Sequence, residues 1–432
     1  MKLTIEKAVY GGDALGRDAD GRAVFVPYAL PGERVEVALT GERGGPARAQ
    51  LVQVEEVSPD RVAARCRHFG RCGGCQYQHA RYESQLAMKA DILSETLERA
   101  GLRDRPRMTV HAGEPWGYRN RIRLRVEVSG GAIQLGYNIR DTRDFLPIEE
   151  CPIAAPVLWR MAQALLDLSN EHGVCGHWLR AAAEIELFCT GDERAVQITF
   201  FMREKRSAGF AELCEGVKLL APELVGAGAE FYADGGKRTT TRFHESASWG
   251  KGGIHYLAAG REYWVTRSGF FQVNRFLVEE LVRVVTEGHK GMMVWDLFAG
   301  VGLFSRALAE VFDNVLAIEA NATSIRDLGA AKKANLRAIA IPVVEFLREA
   351  VIGREWPELV VMDPPRAGVG MEACRLLARM QVPQIVYVSC DPATLARDLR
   401  VMVDSGYNLA ELHLVDLFPQ TFHLETVAVL QR

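Results

Sequence analysis

Apolar and polar residues alternate through residues 1–58, between glycine-rich turns. "RAVFVPYALPGERVEVAL" reads as two strands hinged at Pro31-Gly32, and "ARAQLVQVEEV" as another. Some five short strands in this span fit a small closed barrel of the OB type. The period then lengthens. Leu86, Ala90, Leu93 and Leu97 recur at helical spacing, with Gly101 as a stop. Residues from about 115 to 265 mix strands with one helix near 155–172. From about 270 strands and helices alternate regularly: "MMVWDLF", "NVLAIEA", "ELVVMDPP" and "QIVYVSC" are strands, and "ELHLVDLF" and "TVAVLQR" close the sheet. This pattern predicts a multi-domain chain: an OB-like barrel over 1–58, a central α+β domain over 59–265, and an open, Rossmann-like α/β domain over 266–432.

Composition changes that picture little. Hydrophobic residues make up 48% and charged residues 25% of the 432, which is ordinary globular usage. No apolar signal-type stretch and no bilayer-spanning run is visible, so a soluble, cytoplasmic chain is expected, as a monomer. The net charge of −3 gives no support to nucleic-acid binding, which must rest on local patches. One candidate patch is "GYRNRIRLRVEV", where Arg119, Arg121, Arg123 and Arg125 fall on one strand face and suit phosphate contact. A solvated face with carboxylate partners is the alternative.

The chemistry concentrates at predicted strand ends. "DLFAGVGLFS" sets Asp296 and a glycine turn (Gly300, Gly302) after the first strand of the α/β domain, and Glu319 ends the next strand 23 residues on. An acid at this distance occupies the ribose position of nucleoside-binding folds. No Walker lysine and no full G-x-G-x-x-G is present, which favours a cofactor without phosphate, and S-adenosylmethionine fits. "VVMDPPRAGVG" ends a strand at Asp363, with Arg366 where amine methyltransferases carry an aromatic residue. "IVYVSCDPATLARDL" delivers Cys390 to the end of a buried strand, and a helix start beside a thiol favours the thiolate. Methylation of a pyrimidine at carbon 5 needs such a thiol to add at carbon 6, a methyl donor, and a base to take the carbon 5 proton. Glu425, two residues after His423 in "FPQTFHLETVAVL", is the candidate base.

Nine cysteines, an odd number, do not read as a disulfide framework. Cys66, Cys72 and Cys75 form C-x5-C-x2-C, and Cys151 in "IEECPIAAP" is the natural fourth ligand. Four thiolates suit zinc or iron–sulfur. One knuckle plus a remote, proline-followed cysteine favours a 4Fe–4S cluster, read as a structural clamp.

In order and spacing, "FFQVN" (270–274), "DLFAGVG", "DPPRAG", "SCDPATLARDL" and "HLE" resemble the RNA uridine-5-methyltransferase family. That family covers bacterial 23S ribosomal RNA enzymes and transfer RNA uridine-54 enzymes. The N-terminal barrel resembles its TRAM RNA-binding domain, and the cysteine spacing resembles its cluster-bearing subgroup. The resemblance implies Cys390 as nucleophile and Glu425 as base, and Gln272 in contact with cofactor or target base. It places Phe298 and Glu319 along the adenosine site, and Asp363 between cofactor and uracil. RNA is the implied partner, 23S ribosomal RNA ahead of transfer RNA. Two departures stand out: Leu303 where many ribosomal enzymes have asparagine, and Gln420 where histidine is usual. A 5-methylcytosine enzyme and a non-catalytic RNA-binding protein are the competing readings.

Overall fold

The computed structural model describes residues 1–40, 47–171, 173–232, 243–330, 333–353 and 356–432. The chain folds into two compact units: one of Met1–Pro115, Pro364–Ala378 and Tyr387–Arg432, the other of Trp116–Asp363 and Arg379–Val386.

The first unit opens with β1 (Lys2–Ala8), β2 (Asp13–Arg17), β3 (Ala23–Pro27), β4 (Arg34–Thr40) and β5 (Ala47–Glu56), closed into a barrel in the order β1-β2-β3-β5-β4. Strict alternation turns Leu3, Ile5, Val24, Val26, Val35 and Val37 into its core. The β1–β2 turn needs glycine at two places: Gly11 and Gly12 have φ of +109° and +89°, and a Cβ on Gly12 would meet the Gln76 side chain at 2.6 Å. Helix α1 (Tyr82–Arg99) follows, then a short strand β6 (Thr109–His111). Met88 and Ile92 of α1 share a core with Ala8, Leu30, Leu414 and Leu424, which joins the barrel's rim to the last strands of the chain.

The second unit carries β7 (Arg121–Ser129), β8 (Ala132–Asn138), β9 (Phe145–Pro147), α2 (Pro156–Glu171), α3 (Gly173–Ala181), β10 (Ala182–Cys189), β11 (Val196–Met202), α4 (Phe210–Leu220), β12 (Leu224–Tyr232) and β13 (Phe243–Gly250). Their strands form one seven-stranded sheet, β13-β12-β11-β10-β7-β8-β9. A hairpin of β14 (Gly253–Ala258) and β15 (Arg261–Thr266) precedes α5 (Val278–Thr286). The α/β portion then runs β16 (Gly291–Leu297), α6 (Ser305–Leu308), β17 (Phe312–Glu319), α7 (Ala322–Gly329), β18 (Leu336–Ala340), α8 (Val343–Ala350) and β19 (Leu359–Met362). These four strands are parallel in the order β18-β17-β16-β19, so their carboxyl ends share one edge.

The chain continues with α9 (Gly370–Met380), β20 (Gln384–Ser389), α10 (Pro392–Asp404), β21 (Asn408–Val415) and β22 (Thr426–Gln431). β20 begins in the second unit and ends in the first, where the order is β20-β22-β21-β6. β6 had no visible strand signature, and it adds to the sheet by pairing parallel to β21 through His413↔Thr109 and Val415↔His111.

The arginine stripe is not a free cationic face. Arg121, Arg123 and Arg125 do lie along β7, but Arg121 pairs with Glu186 at 3.0 Å, Arg123 with Glu184 at 2.5 Å and Arg125 with Glu127 at 2.6 Å. The first two guanidinium groups also rest on the rings of Phe188 and Phe201. Antiparallel pairing with β10 brings an acid stripe into register with the basic one, so the solvated, partnered reading replaces the phosphate-binding one. Arg119 lies before β7, bridged to Ala154 and Asn274.

Candidate active site

At the shared edge of the parallel strands three carboxylates come from three neighbouring strand ends. Asp296 is the second-last residue of β16, Glu319 the last of β17, and Asp363 follows β19. Asp296 is fully buried and its Oδ2 accepts a short hydrogen bond from the Ser305 hydroxyl. Burial pushes the Asp296 carboxyl up to about 7, with repulsion from Glu319 adding to it. The Asp363 carboxyl is raised for the same reason, first by burial and then by Asp296. Gln272 Nε2 donates to Asp363 Oδ2 at 3.3 Å, and the Gln272 backbone carbonyl accepts from Asn120 Nδ2 at 2.9 Å, which holds the main chain at that point.

The turn after β16 is built for close approach. Phe298 takes φ of +64°, a strained conformation for a residue with a side chain. Gly302, at φ +85°, has no room for a Cβ, which would meet Leu328 at 2.3 Å; Gly300, at φ +56°, faces open space. Glu319 Oε2 accepts the Gly300 N–H at 2.9 Å and Oε1 the Asn321 N–H at 2.7 Å, leaving lone pairs for ribose hydroxyls. Leu303 is buried, and its carbonyl accepts from the Tyr263 hydroxyl at 3.0 Å, so no polar side chain stands there. Asp296 Oδ1 is buried with no hydrogen-bond partner in the structure. An orphaned carboxylate oxygen amid further acids and an open glycine fit the cationic amino-acid end and ribose of S-adenosylmethionine.

In the first unit the strand β20 runs into a turn that presents Cys390. Tyr387, Val388 and Ser389 are buried, and Cys390 is the first half-buried position, directly ahead of α10. Asp391 caps that helix: its Oδ1 accepts the N–H groups of Ala393 and Thr394 at 3.0 and 2.9 Å, and Pro392 occupies the first turn. Its Oδ2 is 3.3 Å from the Tyr10 hydroxyl, which is also 3.5 Å from the Cys390 carbonyl. Tyr10 lies in the β1–β2 turn of the barrel, and sequence reading missed it because 380 residues separate it from Cys390. Its phenol is raised well above the usual range by burial and then by Asp391.

Glu425 directly precedes β22, the strand beside β20, and only 3% of it is exposed. Glu425 is thus a core residue rather than a solvated one. Arg366 links the two catalytic candidates. Its Nη2 lies 3.2 Å from His423 Nδ1, two residues before Glu425, and its carbonyl accepts from the Thr394 hydroxyl in the first turn of α10 at 3.0 Å.

Cys66 and Cys72 are half-buried and Cys75 is buried in the first unit, and Cys151 belongs to the second. Cys72 Sγ accepts the Gly74 N–H at 3.4 Å, and Tyr137 Oη approaches Cys151 Sγ at 3.8 Å. Among the described residues no three His, Cys, Asp or Glu side chains are gathered as a metal-ligand set. In the loop the Cys66 N–H goes to Gln78 Oε1 at 3.0 Å, and Gln76 Nε2 to the Gly73 carbonyl at 2.9 Å.

A glycine turn after the first parallel strand, acids at the ends of the two strands flanking it and a barrel at the N-terminus define a multi-domain S-adenosylmethionine-dependent methyltransferase. Residues 261–432 match the family model of tRNA (uracil-5-)-methyltransferases, and residues 1–52 match the TRAM domain. A 23S rRNA (uracil(1939)-C(5))-methyltransferase RlmD of Halomonas elongata is 32% identical, covering 100% of this chain and 89% of its own. An uncharacterized RNA methyltransferase of Streptomyces avermitilis is 34% identical over 100% of this chain and 98% of its own. The chain belongs to the RNA uridine-5-methyltransferase family. Among solved structures, the Pyrococcus abyssi tRNA (uracil-54, C5)-methyltransferase bound to S-adenosyl-L-homocysteine superposes over 100% of both chains, with a TM-score of 0.76 at 24% identity. At that identity the likeness speaks for the fold.

Proposed function

We propose that this enzyme methylates carbon 5 of a uridine in large-subunit ribosomal RNA, with Cys390 as nucleophile and Glu425 as base. The observation that carries the reading is the joint mounting of a helix-capped thiol turn and the segment of a buried glutamate on one loop at Arg366. The Cys390 thiolate adds to carbon 6 of the uracil, and the electron pair moves to make carbon 5 a nucleophilic enolate carbon. S-adenosylmethionine, when bound, would supply a sulfonium methyl group to carbon 5 and leave as the neutral thioether S-adenosylhomocysteine. Glu425 then takes the carbon 5 proton, the carbon 5–carbon 6 double bond re-forms, and the sulfur–carbon bond breaks. Asp296, Glu319, Phe298 and Gly300 hold the cofactor, and Gln272 with Asp363 orients the reacting groups. The ribosomal substrate is supported by relatives named for 23S rRNA that match the whole chain at 30–33% identity.

The test uses RNA containing 5-fluorouridine, which has no carbon 5 proton to lose, offered as ribosomal fragments and as transfer RNA. A denaturant-resistant protein–RNA band is expected with the ribosomal fragment, requiring both S-adenosylmethionine and Cys390. Its absence with either RNA, from a protein that still binds cofactor, would sink the proposal; a band with transfer RNA alone would move the substrate. Adduct formation by Cys390→Ala would overturn the nucleophile's assignment.

A 4Fe–4S cluster on Cys66, Cys72, Cys75 and Cys151 rests on the spacing of the cysteines and on a thiol that already accepts an N–H bond. No step of the reaction depends on it. Anaerobically purified protein is expected to carry iron and acid-labile sulfide in equal amounts; zinc instead, or no metal, would remove the cluster from this reading.

A further inference from the structure

Between β21 and β22 the chain makes a loop, residues 416–424, closed at its base by a hydrogen bond from the Val415 N–H to the Glu425 carbonyl at 2.8 Å. Everything that fixes the loop fixes the backbone from which Glu425 projects. Helix α1 reaches into it with two polar side chains one turn apart, Gln85 and Lys89, which are 1% and 0% exposed. Lys89 Nζ donates to Asp416 Oδ1 at 2.5 Å and to the Phe418 carbonyl at 2.9 Å. Gln85 meets Gln420 amide to amide: its Nε2 donates to Gln420 Oε1 at 3.0 Å, and its Oε1 accepts the Gln420 N–H at 2.9 Å. The second hydrogen of Gln85 Nε2 goes to the Ala80 carbonyl at 3.0 Å.

Gln420 itself is 2% exposed and takes φ of +68°, a conformation that persists only where the surroundings over-determine it. Its carbonyl accepts the N–H groups of both Gln76 and Tyr77 at 3.0 Å. A buried residue held at four points in a strained conformation, five positions before a buried glutamate, is an expensive way to make an ordinary loop. Two long polar side chains in the core of a helix would be poor choices for packing alone.

We propose that the Gln85–Gln420 amide pair is the positioning device for the base, setting the aim of Glu425 without touching the substrate. The proposal rests on the reading of Glu425 as the base that takes the carbon 5 proton. A loosened loop leaves thiol addition and methyl transfer intact and slows the step after them, so the methylated covalent adduct accumulates on ordinary uridine RNA.

The experiment compares wild type with Gln85→Met, measuring turnover and the fraction of protein bound covalently to unsubstituted RNA. Turnover is expected to fall by roughly tenfold or more, inside the range that general-base catalysis contributes. The denaturant-resistant adduct, absent from wild type, is expected to appear. Lost turnover without adduct, or unchanged turnover, overturns the proposal, because a merely structural defect removes activity without trapping the intermediate. If Gln85→Met does not fold, Gln420→Leu carries the same test and leaves Gln85 bonded to Ala80. Wild type on 5-fluorouridine RNA runs alongside: no adduct there means the thiol-and-base reading itself has failed, whatever the variants do.

Discussion

Asp296 gives the cofactor crevice a pH signature. Its folded-state pKa near 7 lies above that of an exposed aspartate, so between about pH 4 and 7 the folded protein keeps a proton the unfolded chain has lost. This group's contribution to stability is thus largest in acid and declines as pH rises through 7. A cationic ligand reverses the preference by favouring the carboxylate. Binding of S-adenosylmethionine is expected to release protons below pH 7 and none above about pH 8, read by titration calorimetry in buffers of different ionisation heat. Asp296→Asn should lower the release, with Asp363, raised for the same reason, accounting for the remainder; an unchanged release would place the titrating group elsewhere. The residues with chemistry of their own were readable in sequence, since strand-end acids, a glycine turn and a strand-end cysteine are local patterns. Tyr10 and Gln85 were not. Each acquires meaning from a partner more than 300 positions away, and nothing in its own neighbourhood marks it.

Among elements, α1 is where function and stability meet most closely. Burying Lys89 disfavours its charged form, and Asp416 opposes that by attraction and a hydrogen bond. Removing one member of such a pair strands the other charge in the core, at a cost of about 3–5 kcal/mol, whereas replacing both with apolar residues is far milder. Lys89→Met should therefore lower denaturant stability by about that amount, and Lys89→Met with Asp416→Leu should regain most of it. A double variant no better than the single one would show that packing, not stranded charge, sets the loss. Element patterns were legible where burial imposes a period: the barrel strands, α2, and β16, β17, β19 and β20 all follow from apolar spacing. They were illegible where pairing alone makes the strand. β6 has three residues, none of them buried, and exists because the edge of β21 is there to receive it. Arg121 and Arg123 of β7 misled for the same reason, since the glutamates that neutralise them come from β10, some 60 residues on.

At the scale of the whole molecule the two units are not the three consecutive segments that the apolar and polar pattern suggests. The unit with the barrel takes its first 115 residues from the start of the chain and the remainder from beyond residue 363. Linear reading finds the pieces but not that they belong together, because hydrophobic periodicity carries no address. The discontinuity sets an order of assembly. Trp116–Asp363, the greater part of the second unit, is already synthesised when the barrel and α1 still lack Asp416, Gln420 and Leu424. Contacts spanning this much sequence form late and slowly. During synthesis, then, the part of α1's apolar face that Leu414 and Leu424 cover waits bare through about 300 residues of translation, an interval in which a chaperone would have to stand in for β21 and β22. The thiol proposed to attack RNA gains its finished mount only once β22 has left the ribosome.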